Sequence, residues 1–380
     1  MTKSTVKKTA TGAVAAGAKL RNGVLPAQAL RALTESGVIR LSAPLGLRQL
    51  QPASLDLRLG NVAHRVRASF LPGPGNKVQA TLDSLLLHTF DLTKGAVLET
   101  GCVYIVPLLE ALDLPADLAG SANPKSSTGR LDVFTRVIAD GATAFDQIPA
   151  GYSGPLYAEI CPQTFPVVVH QGSTLSQLRL RRGIAQISDE ALRVLHEEAC
   201  LVSGGVEDIE GGIALSVDLI GDAKGLVGYR AKRHTGLVDV NVSGACAIAD
   251  YWEPIYAGKG DSRRLILDPD QFYILASKES VHVPPMYAAE MMPFNPLVGE
   301  FRVHYAGFMD PGFGHAPAGG SGARVVLEVR SHKVPFVLGD GQIVGRLIYE
   351  RLTEAPEMLY GRDLGSNYQG QALKLSKHFK

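Results

Sequence analysis

The sequence predicts a mainly β protein built as two tandem copies of one domain, a β-barrel or β-sandwich carrying a few short helices. Three observations predict it. The chain repeats itself in order: "VLETGCVYIVPLLEALDLPADLAG" (Val97–Gly120) lies against "ILDPDQFYILASKESVHVPPMYAA" (Ile266–Ala289), and "GPLYAEICPQTFPVVVHQGSTLSQLRL" (Gly154–Leu180) against "ARVVLEVRSHKVPFVLGDGQIVGRLIY" (Ala323–Tyr349). Tyr104 and Tyr273, Pro115 and Pro284, Glu159 and Glu328, and Pro166 and Pro335 all stand 169 positions apart, so a whole domain of roughly 170 residues is duplicated. Within each copy, short segments alternate. Val325, Leu327 and Val329 fall on one face with Val326, Glu328 and Arg330 on the other, and Leu156, Ala158 and Ile160 oppose Tyr157 and Glu159. Finally, 41 Gly and 22 Pro are scattered along the chain, which suits short strands joined by tight turns.

Taken in chain order, residues 1–22 are expected to be a disordered basic tail rich in Ala, Thr and Gly. A first domain follows over 23–198. It opens with a helix in "LPAQALRALTESG" (Leu25–Gly37), which has Pro near its start, Leu30 and Leu33 on one face and Gly at its end. The seam is expected in "HEEACLVSGGVEDIEGG" (His196–Gly212), where Gly and acidic residues interrupt the apolar pattern. The second domain occupies 208–380. Its "SVDLIGD" (Ser216–Asp222) matches "SLDLRLGN" (Ser54–Asn61) of the first.

Composition excludes several classes of function. A formal net charge of +1 does not favour a nucleic-acid surface, and no apolar run approaches the length of a membrane span. Cys102, Cys161, Cys200 and Cys246 form no C-x-x-C pair and have no His at ligand spacing, which argues against a structural zinc and a disulfide framework. Reduced thiols in a cytoplasmic protein are the expectation.

The most suggestive chemistry lies in "SANPKSSTGR" (Ser121–Arg130). A tight turn there aims backbone N–H groups and the hydroxyls of Ser126 and Ser127 outward, Lys125 adds a point charge and Arg130 a planar fork suited to phosphate oxygens. The same stretch also reads as a polar surface turn, and it is no Walker loop. At the 169 offset the second copy has Phe294, Asn295 and Gly299 in place of Lys125, Ser126 and Arg130. Loss of the anion-binding residues from one copy points to a site that the other copy supplies.

Glu159 and Glu328 sit mid-strand in both copies. Such a carboxylate is often simply solvated; partly buried, it has a raised pKa and can take a proton from water and return it. "FRVHYAGFMDPGFG" (Phe301–Gly314) reads as a β-hairpin bending at Asp310 ahead of Glu328, and His304 within it is given no role. G-x-S-x-G, G-x-G-x-x-G and zinc-protease signatures are absent.

The order "SLDLRLGN", "LPADLAG", "KSSTGR", "AGYSGPLYAEI" and C-terminal "YQGQALKLSK" resembles the dCTP deaminases, in a long duplicated form spanning about Leu25 to Lys380. The resemblance implies a dUTPase-like fold in each copy and hydrolysis of dCTP to dUTP and ammonia without zinc; the zinc deaminase signature is likewise missing here. It implies that Lys125, Ser126, Ser127 and Arg130 hold a triphosphate carrying Mg²⁺, with Ser126 also orienting the catalytic water, and that no metal is held by the protein itself. Ala139 and Ala306 become the hairpin positions facing the base, Asp310 a further second-copy site residue, and Tyr368 and Gln371 contacts from the tail. Glu159 and Glu328 become the two candidate bases, Glu328 favoured, with the site assembled from the first copy's phosphate segment and the second copy's hairpin, glutamate and tail. It further implies a homo-oligomer, a trimer being favoured, with dTTP as inhibitor in some relatives. The rival readings are a bifunctional deaminase and dUTP pyrophosphatase, for which Asp140 or Asp310 would position water, and a non-catalytic nucleotide sensor.

Overall fold

The computed structural model describes residues 21–205, 208–258, 263–292, 301–304 (backbone), 307–331, 333–361 and 368–380. Each copy is built on a pair of larger antiparallel sheets, with a smaller two- or three-stranded sheet beside them. In the first, Ser153–Pro162 lies between Val133–Ala139 and Val103–Asp113, and Thr174–Arg182 lies between Ser54–Arg58 and Leu118–Pro124. The second repeats this: Ala323–Ser331 lies between Phe301–His304 and Phe272–Val281, and Ile343–Arg351 between Ile213–Ser216 and Tyr287–Met292. The predicted β-rich duplication is therefore the architecture. The 169 offset carries each central strand onto its counterpart.

Alternation decides which residues enter each core. Val325, Leu327 and Val329 join the second core, while Val326 turns to a cluster shared with first-copy residues such as Phe165 and Val167. The opposite face was expected to be polar and half-buried, but it is covered too, because the other copy packs on it. Glu328 and Arg330 are buried, and Arg330 reaches across to Asp132 and to the Thr164 hydroxyl (2.9 Å).

The first helix runs Ala27–Glu35 after Pro26, buries Ala27 and Leu30, and stops where Gly37 takes φ +80°, a conformation costly for other residues. A second helix, Val78–Leu85, lacks a strong sequence signal and packs Val78 and Leu82 against Ile105 and Tyr157. A third, Asp189–Ala199, begins at a Ser188 cap whose hydroxyl accepts from the Ala191 N–H (3.3 Å). The sequence division placed it at the end of the first domain. Its Leu192 and Leu195 instead enter the second core with Ile213 and Leu347, so the structural seam falls before it.

The expected hairpin is also corrected. Phe301–His304 pairs with the Glu328 strand, but Phe308–Met309 pairs with Tyr287–Met292 in the other sheet. The first copy splits in the same way: Val133–Ala139 pairs with Ser153–Pro162, and Gln147–Ile148 with Leu118–Pro124. Asp310 is thus no hairpin bend; it follows a strand that has crossed between sheets.

The halves are joined by charge as well as apolar surface. Arg181 of the first copy meets Glu350, its own counterpart at the 169 offset, with Nη2 donating to Oε2 at 2.8 Å, and it also donates to Glu290 at 2.8 Å. Identical side chains at those two positions would set like charges together, so divergence of the copies is what permits this contact. Arg179, fully buried, donates to the carbonyls of Ala289 (3.1 Å) and Met309 (3.4 Å) and to the carboxylates of Glu350 and Asp310 (3.3 Å each).

Candidate active site

A cavity of about 470 Å³ opens where the two copies meet the C-terminal tail. Lys125, Ser126, Ser127 and Arg130 line it from the first copy, and Asp310, Glu328, Tyr368 and Gln371 from the second. Gly307, Phe308, Met309, Phe313, Val325 and Val326 make its less polar side.

The phosphate-segment candidates sit at the end of Leu118–Pro124, where the chain turns into the single helical turn Ser126–Gly129. The Lys125 carbonyl accepts from the N–H groups of Thr128 (2.8 Å) and Gly129 (3.0 Å), and the Ser126 carbonyl from Arg130 (3.1 Å), which folds both hydroxyls and the guanidinium into one small volume. Lys125 is ion-paired with Asp56 and donates to the Thr174 hydroxyl at 3.1 Å. Burial pushes the Asp56 carboxyl above its usual range, and Lys125 opposes this.

Arg130 is buried. Its guanidinium lies 4.0 Å from the centre of the Tyr368 ring, and Nη1 donates to the Lys374 carbonyl at 3.0 Å. Its Nε stands 3.7 Å from Glu328 Oε1 and lacks a hydrogen-bond partner among the described residues. Glu328 is held on the central strand Ala323–Ser331, in register between Ile274 and His304. Burial pushes its carboxyl up to about 8, with the Arg130 charge pulling the other way. Asp310 is pushed up to about 6 by the same desolvation, opposed by Arg179.

The tail closes one side. Gln371 pairs with the start of the Glu328 strand: its carbonyl accepts from the Arg324 N–H (2.9 Å) and its Nε2 donates to the Arg324 carbonyl (3.0 Å), while Oε1 is buried without a partner among the described residues. The Ser376 hydroxyl donates to the Ser127 carbonyl at 2.8 Å.

Three sequence candidates, Glu159, Ala139 and Asp140, lie elsewhere, and Ala306 falls outside the described residues. Glu159 is buried in the first copy's own sheet, where Arg136 Nε donates to it at 3.1 Å; Arg136 stacks 3.8 Å from the Phe145 ring centre. Ala139 is buried opposite Leu156 in the first core. Asp140 accepts from the Val78 N–H at 2.8 Å and does not line the cavity. Ala306 and Phe294–Gly299 lie outside the described residues. Sequence reasoning missed Asp56, Thr174 and Lys377, all of which line the cavity. Asp56 sits inside the "SLDLRLGN" block, which the sequence marks only as part of the repeat. Among the described residues no three His, Cys, Asp or Glu side chains stand together as a metal-binding group, and no helix is long and apolar enough to cross a membrane.

Comparison with known proteins agrees over nearly the whole chain. Residues 21–184 match the family model for the 2′-deoxycytidine 5′-triphosphate deaminase N-terminal domain, and residues 188–379 that for the C-terminal domain. A dCTP deaminase of Shewanella amazonensis is 29% identical over 156 residues, covering 39% of this chain and 77% of that protein. The crystal structure of 2′-deoxycytidine 5′-triphosphate deaminase from Agrobacterium tumefaciens is 59% identical, with a TM-score of 0.83, over 88% of this chain and 99% of that one. With both domain models matched in order, and a cavity between the two domains that gathers a phosphate-type segment from one and a buried glutamate from the other, the chain belongs to the dCTP deaminase family.

Proposed function

We propose that the protein hydrolyses dCTP to dUTP and ammonia, with Glu328 as the proton-transferring base. The observation that carries this reading is the position of Glu328. It is a buried carboxyl with its pKa pushed up to about 8, on the wall of a cavity that Lys125, Ser126, Ser127 and Arg130 also line. A group titrating close to neutrality both accepts and returns a proton readily. Glu328 takes a proton from water, and hydroxide adds to carbon 4 of the cytosine. The protonated carboxyl then delivers its proton to the departing amine.

The rest of the cavity positions the substrate. The triphosphate, arriving with its Mg²⁺ as part of the substrate, meets Ser126, Ser127 and Arg130. The Arg130 guanidinium, held by Tyr368 and the Lys374 carbonyl, stands between phosphates and carboxyl. Fixing the distant phosphates orients the ring without spending the catalytic groups on binding. Backbone at Gly307 and Phe308 and the apolar walls of Val325 and Val326 suit a flat base. No zinc enters this scheme. Glu159, tied to Arg136, serves the first copy's structure in this reading.

Asp310 carries a second reading. A buried carboxyl on the same cavity wall is what a bifunctional enzyme would use to place water for pyrophosphate release, although its Oδ1 already accepts from Arg179. The reading also includes a cytoplasmic enzyme, inhibition by dTTP at the same cavity, and assembly as a homo-oligomer, trimer favoured. The paired strands Arg264–Leu267 and Phe336–Gly339 support assembly: they expose Ile266 and Val337, whereas their first-copy counterparts Ala96–Leu98 and Val167–Val169 gain a third strand, Val238–Asp239.

One incubation with dCTP and Mg²⁺ tests the assignment, with ammonia, dUTP, dUMP and pyrophosphate all quantified. Ammonia with equimolar dUTP is the expected result. Ammonia with dUMP and pyrophosphate selects the bifunctional reading. Binding of dCTP without turnover selects the sensor and overturns the enzyme.

A further inference from the structure

Five basic side chains among the described residues line the cavity: Arg48, Arg58, Lys125, Arg130 and Lys377. Three are already matched with carboxylates, Arg58 with Glu110, Lys125 with Asp56 and Arg130 with Glu328. Arg48 is exposed. Lys377 is half-buried, faces the same space, and has no carboxylate within ion-pair distance among the described residues. An under-compensated ammonium in a partly closed cavity is costly unless an anion shares the space. Burial and the neighbouring Lys125 charge hold the Lys377 ammonium below its usual range, and Asp56, already paired with Lys125, opposes them only in part.

The backbone around Lys377 is fixed. Its N–H donates to the Tyr368 hydroxyl (3.3 Å) and its carbonyl accepts from the Gly244 N–H (2.9 Å). On one side the Ser376 hydroxyl is tied to the Ser127 carbonyl; on the other, His378 is buried against the Val240 carbonyl (3.0 Å). Phe379 then enters an aromatic cluster with Phe165, Tyr251 and Trp252, at centroid distances of 6.0, 5.4 and 5.6 Å. Phe165 belongs to the first copy and Tyr251 and Trp252 to the second, so the end of the chain is locked across both. A strap anchored on each side of one lysine holds that lysine in place before any ligand arrives, which lowers the ordering cost of binding.

We propose that Lys377 is a triphosphate-binding residue of this enzyme, presented to the phosphate segment by the anchored C-terminal strap. The proposal rests on the deaminase reading of the cavity. Lys377 is a binding residue here and takes no part in proton transfer at the base.

The test compares wild type with Lys377→Gln and Lys377→Arg. For Lys377→Gln the expected result is a KM for dCTP raised about 10- to 100-fold, the range for losing a charge-assisted contact. Its kcat stays within about threefold on the same reasoning. Inhibition by inorganic tripolyphosphate weakens in parallel, the preference for dCTP over dCMP shrinks, and Lys377→Arg restores most of the binding. A KM and a tripolyphosphate inhibition constant both within about twofold of wild type would overturn the proposal, as would an equal loss of activity toward dCTP and dCMP, which marks a structural role. Should Lys377→Gln melt well below wild type, the dCTP-to-dCMP ratio in Lys377→Arg decides, since an altered ratio with charge retained contradicts a charge-based contact. If wild type does not turn over dCTP, the deaminase reading fails by itself. Direct tripolyphosphate binding then reports separately on Lys377.

Discussion

Arg130 Nε and Glu328 Oε1 lie 3.7 Å apart across the boundary between the two copies of the domain. This is an ion-pair distance rather than a good hydrogen bond, and Arg130 Nε has no other partner among the described residues. The arginine is therefore close enough to temper the carboxyl and not so close as to hold it ionised, and burial prevails in setting its pKa.

Replacing Glu328 by Gln removes proton transfer while preserving shape. Ammonia release from dCTP is expected to fall about 10²- to 10⁴-fold, with nucleotide binding by calorimetry largely retained. Glu159→Gln is expected to leave turnover within a few-fold of wild type, because that carboxylate faces Arg136 rather than the cavity. The two variants assayed side by side decide which copy carries the chemistry.

The pH dependence of turnover follows from the need for an ionised base. Below about pH 8 the rate should rise roughly tenfold per unit, and level off above it. Arg130→Met removes the charge that lowers the Glu328 pKa, so the inflection in kcat should move to higher pH. An inflection that stays in place in this variant would separate Arg130 from the titrating group.

Stability should respond to pH in the opposite sense. In the folded chain Glu328 keeps its proton up to about pH 8, against an ordinary value of 4.5. Between those values the folded state binds more protons than the unfolded one, so this group's contribution to stability falls as pH rises from 4.5 to 8. Glu328→Gln has no such loss. It should melt a few degrees above wild type near pH 8 and close to wild type near pH 4, measured by calorimetry.

Arg179 is the buried cation on which the second copy's Asp310 and Glu350 both rely. Arg179→Met leaves those carboxylates short of a partner and should cost about 3–5 kcal/mol in urea unfolding. Because Asp310 loses an opposing positive charge, its pKa should also rise, and activity should fall with stability even though Arg179 does not line the cavity.

Much of this was legible in the chain. Alternation in "RVVLEVR" and "PLYAEIC" places strands because side chains of successive residues must point to opposite faces. The 169-residue spacing of Tyr104/Tyr273 and Glu159/Glu328 reveals duplication without any reference to space. Loss of Lys125, Ser126 and Arg130 from the second copy already separates the two halves in role. Local pattern was less informative where the partner of an element is remote. "FRVHYAGFMDPGFG" has the composition of a hairpin, yet its strands join different sheets, because pairing is decided by distant Ala323–Ser331 and Tyr287–Met292. The helix Asp189–Ala199 belongs to the second core for the same reason, through Leu192 and Leu195.

What the sequence by itself determined is the repeat, the β-rich class and the residue types available for phosphate binding and proton transfer, since these depend on side-chain chemistry and on periods of a few residues. Only the tertiary structure decided that Glu328 rather than Glu159 shares a cavity with Lys125–Arg130, that Arg136 occupies the other glutamate, and that Lys377 enters from the tail. Those outcomes turn on which faces of the two copies meet. Docking brings together residues far apart in the chain, such as Arg130 and Glu328, and the burial that raises the Glu328 pKa exists only after they have met.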